Sequence, residues 1–124
     1  MSAPIRVLLV EDNAEYRDTL AFLLDSQEDV DVVGRVATGF EAADASAELG
    51  ADVAVIDFRL PDIAGSEAAA AVRRRSPETS VVFLSASAGE EERRARSTGW
   101  PLVRKDDGVG ALVAAIRAAV QRHP

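Results

Sequence analysis

The chain contains no cysteine. That excludes a disulfide framework, thiolate chemistry and any Cys-ligated metal. Histidine is almost as scarce, since His123 stands alone, one residue from the end of the sequence, in a tail with nothing to constrain it. Histidine-based catalysis, a His-clustered metal site and a phosphohistidine carrier therefore lack a credible residue. No apolar segment approaches the ~20 residues that span a bilayer. Met1-Ser2-Ala3-Pro4 leads into too short an apolar run for a signal peptide. A basic excess is missing too: the net charge is −7, which opposes non-specific binding to nucleic acid. The one basic cluster, Arg73-Arg74-Arg75, reads as cations gathered at the negative end of a helix dipole. Together these absences predict a soluble, cytoplasmic protein that neither enters a membrane nor binds nucleic acid directly.

What is present is globular. With 124 residues, 48% of them hydrophobic and 28% charged, the chain can bury a sizeable core as one domain, 1–124. Ile5 to Val10 is a β-branched and leucine-rich run closed by Glu11-Asp12-Asn13, which reads as a buried strand followed by a helix N-cap. Tyr16, Leu20, Leu23 and Leu24 then recur at helical spacing. Val30 to Ala37 is a weaker strand, interrupted by Gly34 and Arg35, and suits an edge. An alanine-rich helix follows and ends at Leu49-Gly50, with Gly50 closing it.

Val53 to Ile56 is a run of four apolar residues, the mark of a strand buried on both faces. Asp57 comes next, where burial is expected to give way to a loop, and Pro61 and Gly65 turn the chain toward a helix that Ser66 could cap. Ser76-Pro77 breaks that helix at Arg75. Val81 to Leu84 is another buried strand, ending at Ser85. A polar segment from Ala88 to Thr98, a turn at Gly99-Trp100-Pro101 and a short strand from Leu102 to Arg104 follow. The last helix carries the clearest apolar stripe: Val109, Leu112, Val113, Ile116 and Val120.

Strands alternating with helices predict an α/β domain, a doubly wound five-stranded parallel sheet with helices on both faces. In such folds ligands bind outside the carboxyl ends of the strands. The residues at those ends are Glu11-Asp12, Asp57, Ser85 and Lys105. Three carboxylates meeting in one crevice raise one another's pKa, and a divalent cation relieves the repulsion. Few, loop-borne oxygen ligands suit Mg²⁺ with retained waters. Lys105 is the only lysine among 14 basic residues. A chain that otherwise uses arginine has kept a compact point charge at one strand end.

The motifs Leu9-Val10-Glu11-Asp12-Asn13, Ile56-Asp57-Phe58-Arg59-Leu60-Pro61, Gly65, Ser85-Ala86 and Lys105-Asp106 resemble, along the whole chain, the receiver domain of two-component response regulators. The similarity is to the CheY-like fold and, in flavour, to receivers of NarL/LuxR-type regulators. It implies a flavodoxin-like sheet of order 2-1-3-4-5. It also implies that Asp57 is the phosphoacceptor, taking its phosphoryl group from a sensor histidine kinase. Asp12, Asp57 and the Arg59 backbone carbonyl would hold Mg²⁺, for which Mn²⁺ can substitute, and Glu11 would act through bound water. Lys105 would pair with Asp57 and then with phosphoryl oxygens, and Ser85 would turn inward to hydrogen-bond them. Such a domain is a switch rather than an enzyme, although it promotes its own phosphorylation and dephosphorylation. Lys105-Asp106, rather than Lys-Pro, points to regulators with a C-terminal helix-turn-helix. The resemblance leaves open a stand-alone receiver or the receiver part of a DNA-binding transcription regulator, and it allows a homodimer. The output would be a downstream protein partner or an output domain of its own, which 1–124 does not include.

Three departures bear on the output. Leu102 stands at the switch position where the family usually carries an aromatic, behind Pro101 rather than glycine, and Trp100 reads as a plug at the core edge. Ser85 to Lys105 is about two residues shorter than is usual. The segment from Ala88 to Thr98 has no Leu, Ile, Val or Phe, so a short, mobile fourth helix is expected, held by the pairs Glu90–Arg94 and Glu92–Arg96. Arg59 and Ser87 sit where attacking water could be screened. An alternative reading keeps the fold as a phosphorylation-independent interaction module. A flavodoxin-like cofactor binder is rejected, because Glu11-Asp12 would repel a phosphate where such a binder needs donors.

Overall fold

The alternation of apolar runs and helical stripes folds as a single parallel sheet with helices on both faces. The structure, a computed structural model, describes residues 3–86 and 89–122. In chain order the elements are β1 (Ile5–Val10), α1 (Ala14–Asp25), β2 (Val30–Val36), α2 (Ala42–Leu49) and β3 (Val53–Asp57). They continue with α3 (Gly65–Arg75), β4 (Ser80–Ser85), α4 (Glu90–Thr98), β5 (Leu102–Arg104) and α5 (Gly108–Arg122), with one 3₁₀ turn at Lys105–Asp107. The strands are parallel in the order β2-β1-β3-β4-β5. The expected sheet, order and edge position of β2 are all met. A register shift between Val7 and Leu8 leaves Val33 of β2 without a partner on β1, while Gly34 pairs with Leu8.

Strand periodicity divides the core in two. Val7, Leu9, Val53, Val55, Val82 and Leu84 face α1 and α5, where they meet Leu20, Leu24, Leu112, Val113 and Ile116. Their neighbours Leu8, Val10, Ala54, Ile56, Val81 and Phe83 face the other way, onto α2, α3 and α4. Alternation with a period of two, along the unbroken apolar runs 7–10, 53–56 and 81–84, builds both layers. Phe58 and Phe83 meet edge to face at 5.1 Å in the second layer, a contact worth about 0.5–1.5 kcal/mol beyond its area. Trp100 and Leu102 pack partly buried at the rim of that layer, as expected of a plug at the core edge.

Helix ends follow local chemistry in most places. The Asn13 side chain accepts the Tyr16 amide at 2.9 Å and caps α1. Gly50 takes the left-handed conformation, φ 62°, and closes α2. Ser66 does not cap α3: Ala64 is the residue before the helix, with no side-chain cap, and Ser66 lies inside the first turn. What fixes the start of α3 is Gly65. A Cβ there would stand 2.7 Å from the Phe58 Cα and 3.0 Å from the Asp57 carbonyl, so only glycine lets the helix abut the end of β3. Leu23, placed in the α1 stripe by its spacing, remains 38% exposed. The fourth helix begins at Glu90; Ser87, Ala88 and His123 lie outside the described residues.

Candidate functional site

Four strand ends converge at one edge of the sheet. β1 delivers Glu11 and Asp12, β3 delivers Asp57, β4 delivers Ser85, and Lys105 follows β5 directly. The parallel register brings Asp57 level with Leu84 and places Ser85 opposite Arg104. Asp57 departs from the expectation of a residue at the margin of burial. It belongs to β3, is 6% exposed, and burial continues through Phe58. The edge-to-face packing of Phe58 on Phe83 and the close approach of Gly65 carry the core one residue past the carboxylate.

Lys105 organises the carboxylates. Its Nζ donates to Glu11 Oε1 at 2.7 Å and to Asp57 Oδ2 at 2.9 Å. Two carboxylates outweigh partial burial, so although desolvation pulls the ammonium's pKa down, hydrogen bonds and charge from Glu11 and Asp57 leave it raised. The same Nζ sits 4.4 Å from the centre of the Tyr16 ring, a cation–π contact. Burial, opposed by the Lys105 charge and reinforced by Glu11 and Asp57, raises the Tyr16 phenol.

The remaining oxygens are held by backbone. Glu11 Oε2 accepts the Asn13 amide at 3.0 Å, and Asp57 Oδ1 accepts the Arg59 amide at 3.0 Å. Asp12 is exposed and projects its carboxylate toward the two buried ones. One oxygen from each of Glu11, Asp12 and Asp57 lies within 4.8 Å of the others, a separation that a single cation could bridge. A charge-rich crevice with a wet rim at Asp12 and a dry floor at Glu11 and Asp57 suits an oxygen-liganded divalent ion. Ser85 is buried beside it, and its hydroxyl donates to Glu91 Oε1, while Glu91 Oε2 accepts from Arg59 Nε. Leu102 lies apart from this cluster, packed in the second core layer.

Two further residues, Tyr16 and Glu91, contribute to the site. Tyr16 was expected only as part of an apolar stripe, and nothing in its spacing signals the Lys105 contact. Glu91 is one of three consecutive glutamates, yet it alone of the three is buried. Its signal was positional: four residues before Ala95, it shares the one inward face α4 has.

Residues 7–116 match the family model of the response regulator receiver domain. The chain belongs to that family. It is 34% identical, over 72% of its length, to the response regulator protein VraR of Staphylococcus saprophyticus. The response regulator domain of Thermotoga maritima CheB superposes with a TM-score of 0.86 at 30% identity, covering 98% of this chain and 99% of that one. The receiver domain of NarL from Mycobacterium tuberculosis gives 0.89 at 27% identity, covering 98% and 99%. The match spans 43% of the length of VraR and 23% of that of the Thermotoga maritima protein-glutamate methylesterase, so the chain covers only part of these curated relatives. No described helix is long and apolar enough to cross a membrane.

Proposed function

We propose that this receiver domain is a phosphorylation-activated switch, and that Asp57 is its phosphoacceptor. The observation that carries the reading is the Lys105–Asp57 contact at 2.9 Å, with the Glu11 and Asp12 carboxylates gathered around the same aspartate. In the reaction an Asp57 carboxylate oxygen attacks the phosphorus of a phosphohistidine on a sensor histidine kinase. A P–O bond forms, the P–N bond breaks, and the product is a mixed anhydride. The Lys105 ammonium stands where charge grows on the transferred group. The Arg59 amide holds the other Asp57 oxygen and fixes the carboxylate for in-line approach.

Asp12 and Asp57, with the Arg59 carbonyl, would hold Mg²⁺ or Mn²⁺, and Glu11, the third carboxylate of the cluster, would act through bound water. When bound, the cation offsets the negative charge of the carboxylates and of the phosphoryl group. Ser85 would hydrogen-bond the phosphoryl oxygens once its hydroxyl turns from Glu91. The domain itself promotes phosphoryl gain and loss without being an enzyme in turnover. Its output is a downstream partner or an attached domain, in the manner of transcription regulators; a homodimer is compatible with either, and the cytoplasm is where its kinase would meet it.

A second reading, a phosphorylation-independent interaction module, draws support from the Ser85 hydroxyl being engaged by Glu91 and from Leu102 in place of an aromatic. One experiment separates the two. Acetyl phosphate with millimolar Mg²⁺ is expected to label the wild type and leave Asp57→Asn unlabelled, read on a phosphate-affinity gel. No labelling of the folded wild type would overturn the switch.

A further inference from the structure

Glu91 is the one buried carboxylate among the described residues that the phosphoacceptor crevice does not use. It enters from the first turn of α4, and both its oxygens are engaged by residues adjoining Asp57. Oε1 accepts from the hydroxyl of Ser85, at the end of β4. Oε2 accepts from Nε of Arg59, two residues past Asp57, whose own amide holds Asp57 Oδ1. Glu91 is 6% exposed at the side chain while Arg59 is 78% exposed, so the pair tethers a buried acid to the lip of the crevice.

A serine hydroxyl carries one proton. At rest Ser85 gives it to Glu91. An Asp57-bound phosphoryl oxygen needs that same proton, and the two acceptors cannot share it. The phosphoryl group also adds negative charge beside Glu91, which opposes the carboxylate staying where it is. No covalent bond changes at Ser85 or Glu91; one hydrogen bond exchanges its acceptor.

We propose that Glu91 is a positioning residue, a latch that holds Ser85 in its resting orientation and ties α4 to the phosphoacceptor site. Phosphorylation draws the Ser85 hydrogen bond to itself, releases Glu91 and loosens α4. The inference rests on Asp57 being the phosphoacceptor. It supplies the link to α4 that Leu102 cannot make by rotating a ring. α4 has little else to hold it, since Ala95 is its only other buried residue among those described.

The test uses the whole 124-residue chain, with beryllofluoride as the phosphoryl stand-in at millimolar Mg²⁺. Glu91→Leu is expected to tighten beryllofluoride binding about tenfold, the worth of one charge-assisted hydrogen bond no longer competing. Glu91→Gln, which keeps the shape and a neutral acceptor, falls between and serves if Glu91→Leu does not fold. Hydrogen exchange of α4 without ligand is expected to rise in Glu91→Leu to the level that beryllofluoride produces in the wild type. In a Ser85→Ala background the effect of Glu91→Leu on affinity should vanish, which a merely structural role would not produce. Binding that is abolished by Asp57→Asn but indifferent to Glu91, or a Glu91 effect that persists undiminished in Ser85→Ala, overturns the latch and leaves the phosphoacceptor standing. A folded wild type that binds no beryllofluoride overturns both.

Discussion

Lys105 and Asp57, forty-eight residues apart in the chain, meet at 2.9 Å where β3 and β5 end. The lysine also holds Glu11 at 2.7 Å, so one ammonium separates two buried carboxylates. Replacing it with the apolar Lys105→Met leaves those carboxylates facing each other. Breaking a fully buried pair costs about 3–5 kcal/mol, and the 21% exposure of the lysine side chain lowers that to roughly 1–3 kcal/mol. Urea unfolding at neutral pH without Mg²⁺ is expected to register the loss.

The same contact sets a pH dependence. The folded-state pKa of Lys105 is raised above its ordinary 10.5, because the hydrogen bonds and charge of Glu11 and Asp57 overcome desolvation. A group raised on folding contributes stability that is complete below its unfolded pKa and fades as pH climbs through the folded one. The gap in unfolding free energy between wild type and Lys105→Met should therefore be flat from neutral pH to about pH 10 and narrow above about pH 10.5. A gap unchanged well into the alkaline range would place the stabilisation elsewhere.

Asp12 is the exposed member of the carboxylate cluster, so it tests metal binding with the least disturbance to the core. Mg²⁺ that binds only the folded chain raises its stability by about 2.7 kcal/mol at a hundredfold excess over Kd. Thermal unfolding of the wild type should shift upward with Mg²⁺, and the shift should largely disappear in Asp12→Ala. Without Mg²⁺ the same variant should be as stable as the wild type or slightly more so, since a like charge has been removed. Equal Mg²⁺ shifts in both proteins would argue against the cluster as the site.

The strand ends were legible because unbroken β-branched runs leave little choice of where a strand stops. Glu11, Asp57 and Ser85 stand directly after apolar runs, and Glu11 and Asp57 meet around Lys105. What lay beyond reach depended on packing between distant segments. The burial of Asp57 comes from Phe58 closing on Phe83 and from Gly65 touching the β3 backbone. The start of α3 follows that contact rather than the better capping residue, Ser66. Of the two ion pairs expected along α4, Glu90–Arg94 closes at 3.2 Å, while Glu92–Arg96 does not form among the described residues. Glu91 between them turned inward because it shares a face with Ala95, a choice that residue type could not reveal in a run of three glutamates.

Gly65 offers a test of how tightly α3 is seated. An added methyl would meet backbone at 2.7–3.0 Å, and backbone of a central strand yields little. Gly65→Ala should lower the urea midpoint by an amount equivalent to about 1–3 kcal/mol, with the slope m unchanged. The displaced segment carries Asp57 and Arg59, so weaker Mg²⁺ binding should accompany the loss. Wild-type stability in Gly65→Ala would mean that the β3–α3 junction is looser than its geometry.

The contrast between α4 and α5 carries the last prediction. α5 buries Leu112, Val113, Ile116 and Ala119. α4 buries Ala95 and the carboxylate-bearing Glu91, and its surface pair Glu90–Arg94 adds only about 0.2–0.5 kcal/mol. At ~0.8 kcal/mol per buried methylene, the difference in apolar anchoring amounts to several kcal/mol. Both ends of α4 depend on glycines at positive φ, Gly89 at 83° and Gly99 at 84°, where an L side chain costs roughly 1–2 kcal/mol. Amide exchange in α4 should therefore run at least about tenfold faster than in α5, through local opening that leaves the sheet intact. Gly99→Ala should widen that difference by straining the helix exit. Placing a leucine at Ser97, which is exposed, should leave it unchanged. Protection of α4 equal to that of α5 in the unphosphorylated protein would show that the Glu91 contact alone anchors the helix firmly, and would refute a mobile fourth helix.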